Sequence, residues 1–126
     1  PVYRLKPDTI HNPAVVKTLL AHDGRALYFS RSAIPHVRDV PSSEWHQHTD
    51  YWGHVGMYGF RGDVLDAWDQ LPTSPLEDLE RLEQLRLIEA GYQIATFSVK
   101  GTSLSVDTEA QLLQAREISA RESTEK

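Results

Sequence analysis

Residues 74–92, SPLEDLERLEQLRLIEAGY, constrain the fold more than any other stretch of the chain. Ser74 is a strong N-cap, Pro75 suits the first helical position, where a missing N–H costs nothing, and Glu77 completes a capping box with Ser74. Gly91 stands where a left-handed C-cap is expected. These signals predict one helix over residues 75–90, followed by an alternating strand over 92–99. After a Gly-Thr-Ser loop, a last amphipathic helix is expected from Asp107 or Thr108 to about Glu117, with 119–126 as a flexible tail. Strands alternating with helices indicate an α/β layer architecture.

Upstream, residues 15–21 and 26–30 are β-prone runs joined across Asp23-Gly24, a hairpin signal. Residues 1–13 carry Pro1, Pro7 and Pro13 and read as an irregular lead-in. Residues 35–50 read as a polar excursion, 51–60 as a strand, and 62–70 as a short helix ended by Pro72. A chain of 126 residues holds one domain with a single core. Its formal charge of -5 argues against a general nucleic-acid binder. No apolar run approaches the roughly 20 residues that span a bilayer, and no signal-peptide pattern is present. Without cysteine there is neither a disulfide nor a thiolate metal site, which fits a cytoplasmic protein.

Several residues are odd for their predicted places. On a continuous helix Glu83 shares a face with Leu76, Leu79, Leu87 and Ala90, so its carboxylate must be paired, for instance with Arg86, or open to a cleft. In a strand His54 and Tyr58 lie on one face around Gly56, which leaves room for a ligand or another backbone, while Val55 and Met57 face the core. That face suits a polyol, or is a satisfied structural pair. Arg31 directly follows a strand and Arg38 lies a short loop away; two guanidinium forks suit a carboxylate or phosphate, or are simply exposed. Asp107 is placed to cap a helix or to bind Mg²⁺. His46, His48 and His54 lack the spacing of a zinc site, and no P-loop, G-x-G-x-x-G or G-x-S-x-G motif occurs.

The segments HNPAVVK, ALYFSRSAIP, GHVGMYGFR, SPLEDLERLEQLR and SVDTEAQL, in this order and spacing, resemble the C-terminal half of the 3-deoxy-manno-octulosonate cytidylyltransferase (CMP-Kdo synthetase) family. The resemblance implies the C-terminal portion of a nucleotidyltransferase-type, mixed-sheet α/β/α fold with the N-terminal nucleotide-binding half absent. Residues 1–118 are then the sugar-acid-binding and dimerisation half. The family transfers CMP from CTP to the acid sugar Kdo for lipopolysaccharide precursors, releasing pyrophosphate, with Mg²⁺. By resemblance Arg38 holds the sugar carboxylate with Arg31 in support. His54 and Tyr58 contact the sugar, Glu83 and Gln84 face its hydroxyls, and Asp107 is the second metal-binding aspartate. No catalytic nucleophile is implied, and a fragment of this kind is expected to be inactive alone. The family's homodimer suggests Trp45 and Trp52 as interface anchors or as core. A non-catalytic binding or assembly module, and a cytidylyltransferase for 8-amino-Kdo or a sialic acid, are the competing readings.

Overall fold

The Asp23-Gly24 signal closes a hairpin in the computed structural model of the chain, which describes residues 1–100 and seven helical positions between 109 and 120. β2 (Lys17–Leu20) and β3 (Arg25–Ser30) run antiparallel, and Gly24 takes the left-handed φ of +82° that the turn requires. Leu19 faces Tyr28 whereas Leu20 faces Ala26, so Leu27 is the extra residue of a bulge and stays 45% exposed.

Other expected elements come out shorter or divided. The lead-in is not wholly irregular, because Val2–Arg4 forms β1, followed by a 3-10 turn at Pro7–Thr9. The strand expected over 51–60 is only β4 (Trp52–His54), and Met57, expected in the core, is 67% exposed. The 62–70 helix splits into α1 (Gly62–Asp66) and a 3-10 turn at Trp68–Gln70. The last strand shrinks to β5 (Ile94–Ala95).

The five strands run in the order β1-β4-β2-β3-β5, and each pair is antiparallel. From β5 the chain crosses to the opposite edge. There the Val2 N–H donates to the Phe97 carbonyl at 2.9 Å and the Val99 N–H to the Val2 carbonyl at 2.8 Å, around a parallel Val2–Ser98 bridge. The sheet therefore curls, and one short segment bonds to both of its edges. β4 lies between β1 and β2, and Gly53 within it is sterically required: a Cβ there would sit 2.6 Å from Leu5 Cδ2 and 2.7 Å from Tyr3 Cζ.

The largest departure concerns the helix expected over 75–90. α2 (Pro75–Glu80) stops at Arg81, whose φ of 55° is left-handed, and α3 (Gln84–Glu89) starts afresh after Glu83. Ser74 Oγ does cap α2, accepting the Glu77 N–H at 3.0 Å, and Gly91 takes the expected positive φ of 87°. The other half of the capping box is not made by Glu77, whose carboxylate takes two bonds from Arg86 at 2.7 and 2.9 Å. Glu89, at the end of α3, instead accepts from Ser74 Oγ and from the Leu76 N–H.

The break has a tertiary cause. Glu80 turns to the end of β3, accepting from Ser30 Oγ at 2.6 Å and from the Arg31 N–H at 2.9 Å. With α2 stopped there, Leu82 and Leu85 enter the core against Ala26 and Phe29, and Leu79 is left 80% exposed. A second core cluster gathers Tyr3, Leu5, Ile10, Trp45 and Tyr51. It anchors the 35–50 excursion, which contains a 3-10 helix at Ser42–Gln47 and is tied down by Tyr51 Oη donating to the Pro35 carbonyl at 2.6 Å. Trp45 is buried there with its indole N–H on the Val40 carbonyl, so it is a core residue and not an interface anchor; Trp52 is half-buried on β4. No helix among the described residues is long and apolar enough to cross a membrane.

Candidate functional site

β4 ends at His54, and the chain then turns so that Tyr58 comes back over it. The Tyr58 hydroxyl lies 2.6 Å from His54 Nε2, and the His54 ring packs edge-on against Phe29 with 5.1 Å between centroids. Burial, helped by the Pro1 ammonium, pushes the imidazole down to about 4; burial and then Glu83 push the Tyr58 phenol up. At neutral pH a neutral imidazole is thus hydrogen-bonded to a phenol that keeps its proton. The pair expected on one strand face does meet, although through a turn. Nothing approaches within 4 Å of a Cβ placed on Gly56, so that glycine admits no neighbouring backbone.

His54 and Tyr58 also line a cleft of about 490 Å³ between the sheet, α3 and the returning 92–97 segment, together with Phe60, Arg61, Tyr92 and Phe97. Arg31, Arg38, Glu83 and Gln84 do not line this largely apolar cleft. The polar cluster and the cleft meet only at the His54–Tyr58 pair.

Glu83 is not on an apolar stripe. It is exposed at the helix break, close enough to Tyr58 for its charge to act on the phenol, and its expected partner Arg86 is taken by Glu77. The next residue, Gln84, is buried, and its Nε2 has no hydrogen-bond partner among the described residues.

Arg31 is largely committed to the protein. Its Nε donates to the Glu80 carbonyl at 2.8 Å and its Nη1 to the Pro13 carbonyl at 3.2 Å, leaving Nη2 without a partner among the described residues. The Arg38 side chain is 89% exposed, and among the described residues its guanidinium pairs with the neighbouring Asp39 carboxylate at 3.2 Å. His54 and Tyr58 are therefore in contact, Glu83 reaches Tyr58 through its charge, Gln84 follows Glu83 in the chain, and Arg31 adjoins the same helix break through Glu80. Arg38 stands apart on its loop. Asp107 and residues 119–126 other than the helical Ala120 lie outside the described residues.

Two charged residues escaped the sequence reading. Lys17 and Glu80 both bond to Arg31. The one available signal was a lysine inside the otherwise apolar and β-branched run VVKTLLA.

A family model described as cytidylyltransferase matches residues 4–94. The chain belongs to the cytidylyltransferase family. Within that family, the 3-deoxy-manno-octulosonate cytidylyltransferase of Chlorobaculum tepidum is 45% identical over 120 residues, covering 93% of this chain and 46% of that protein. The Escherichia coli protein of the same name is 44% identical over 113 residues, with 90% and 44% covered. A solved structure of CMP:2-keto-3-deoxy-manno-octonic acid synthetase complexed with CTP matches with a TM-score of 0.86 at 40% identity, over 96% of this chain and 48% of that one. This cytidylyltransferase chain thus spans about half the length of the curated relatives it matches. The resemblance carried by HNPAVVK, ALYFSRSAIP, GHVGMYGFR and SPLEDLERLEQLR holds, and so does the α/β fold class.

Proposed function

We propose that this chain forms the acid-sugar side of a cytidylyltransferase that joins CMP from CTP to a hydroxyl of Kdo and releases pyrophosphate. The observation that carries this reading is Gln84, whose buried Nε2 finds no acceptor among the described residues. A buried donor left unpaired costs about 1–3 kcal/mol, so it calls for an external acceptor, and a sugar hydroxyl is one. Glu83 beside it is exposed and can accept from a second hydroxyl, and it is close enough to Tyr58 for its charge to act on the phenol. Arg31 Nη2 supplies positive charge of the kind a sugar carboxylate needs; Arg38, given that role by the resemblance, stands apart on its loop. The names of the relatives and of the solved neighbour support Kdo and CTP as the substrates.

In this reading the sugar hydroxyl attacks the α-phosphorus and pyrophosphate leaves in line. The chain contributes orientation of the acceptor rather than chemistry of its own. The nucleotide is held by residues outside the chain, which is inactive by itself. The described residues do not alone fit the Mg²⁺ ion that the resemblance implies, since no three His, Asp or Glu side chains among them are grouped to hold a metal. Asp107, with an aspartate from outside this chain, is the ligand set of this proposal. A homodimer and a cytoplasmic location belong to it as well.

Calorimetric titration of the 126-residue chain with Kdo tests the assignment. Kdo is expected to bind more tightly than sialic acid, and Gln84→Met to weaken binding by about tenfold or more. Absent binding, or Kdo binding unchanged in Gln84→Met, rejects the acid-sugar side. Pyrophosphate released from CTP and Kdo by the pure chain would overturn the division of labour.

A further inference from the structure

Lys17 is 0% exposed, yet it carries an ammonium group. Its Nζ donates to the carbonyls of Asn12 at 2.9 Å, Val15 at 2.6 Å and Arg31, so its three N–H bonds are matched by three acceptors. Carbonyls neutralise only part of a full charge, and Glu80 is the carboxylate whose field favours the ammonium, while Arg31 opposes it. Burial brings the group down to about 8, which leaves it protonated at neutral pH. Burying an ion is costly, and a methionine of similar shape would fill the same core position.

The same network surrounds Arg31. Lys17 takes its carbonyl; Glu80 takes its backbone N–H with a carboxylate oxygen and its Nε with the main-chain carbonyl; Pro13 takes Nη1. A residue fixed at four points presents its remaining Nη2 in one direction only. Glu80 is also the last residue of α2, followed directly by left-handed Arg81 and then by Leu82, Glu83 and Gln84. The carboxylate that holds Arg31 therefore also sets where the Glu83–Gln84 turn stands.

We propose that Lys17 and Glu80 are positioning residues that lock Arg31 to the helix break, making the guanidinium arm and the Glu83–Gln84 arm of the site one rigid unit. This rests on the acid-sugar reading for its purpose, but its geometry can be tested separately. Two further features carry less. The apolar cleft shows nothing of what would cover it, and the His11–Trp45–His36 ring stack holds a loop without forming a site.

The experiment uses the 126-residue chain with Lys17→Met, Glu80→Gln and the double variant. Heteronuclear NMR follows exchange of the Arg31 Nε–H and of the Glu83 and Gln84 amides, and calorimetry follows Kdo. Each single variant is expected to speed Arg31 Nε–H exchange and Glu83–Gln84 amide exchange together, by about tenfold or more, while the Thr18 and Phe29 amides stay protected. Kdo affinity is expected to fall about tenfold in each single variant and little further in the double, because the two act as a unit. Arg31 exchange unchanged in Glu80→Gln overturns the inference. So does loss of hairpin protection in step with Arg31, which would mark a merely structural network. If Lys17→Met does not fold, Glu80→Gln decides alone. If the parent chain fails to bind Kdo, the acid-sugar reading falls, and the exchange pattern alone still accepts or rejects the lock.

Discussion

Burial against Phe29 keeps His54 uncharged in the range where an open histidine titrates, and this decides what the His54–Tyr58 pair can do. The neutral ring stays hydrogen-bonded through Nε2 to the Tyr58 hydroxyl. The folded-state value of about 4 lies below the unfolded 6.5, so the unfolded chain takes up the proton first as pH falls. Stability contributed at this site is therefore complete above 6.5 and lost progressively down to about 4. The urea midpoint of the parent chain is expected to fall across that window more steeply than that of His54→Gln; parallel slopes would refute a buried neutral histidine. That His54 and Tyr58 belong together was legible from their spacing. The turn that joins them was not, since β4 ends where cross-strand pairing runs out and no local residue announces it.

At the scale of the element, the hairpin obeyed its local chemistry and the long helix did not. Asp23 and Gly24 specify their turn locally, Gly24 by its left-handed φ and Asp23 by accepting the Arg25 N–H at 3.2 Å. Residues 75–90 carry every local helix signal, yet hydrogen bonds from Ser30 and Arg31 to Glu80 outweigh continuation at Arg81. A left-handed non-glycine residue costs about 1–2 kcal/mol, so Arg81→Gly is expected to leave stability unchanged or raise it by about 1 kcal/mol in urea unfolding. A clear loss would mean that the arginine side chain itself holds the break. Gly53 gives the opposite case. A methyl group there meets Tyr3 and Leu5 at under 3 Å from a strand paired on both sides, and Gly53→Ala is expected to cost about 1–3 kcal/mol by the same measurement. The sequence offered no hint of this, because the crowding comes from residues nearly fifty positions away.

Across the whole molecule, two core clusters and one returning segment turn a short sheet into a curled scaffold. Trp45 belongs to that scaffold. Trp45→Ala is expected to lower stability by about 3–5 kcal/mol and to leave the sedimentation behaviour of the remaining folded protein unchanged. Lost self-association at unchanged stability would restore it as an interface residue. The motifs that place the chain among cytidylyltransferases are short, ordered and local, so they survive in the sequence without knowledge of the fold. Turn chemistry, the Ser74 cap and the Gly91 terminus were determined in the same way, by neighbours a few bonds apart. The break at Arg81, the orphaned Gln84 amide and the clamp of Lys17 and Glu80 on Arg31 were decided only by tertiary structure. They depend on which distant groups arrive to compete for a hydrogen bond or a place in the core, and pairings of that kind leave no periodicity to read.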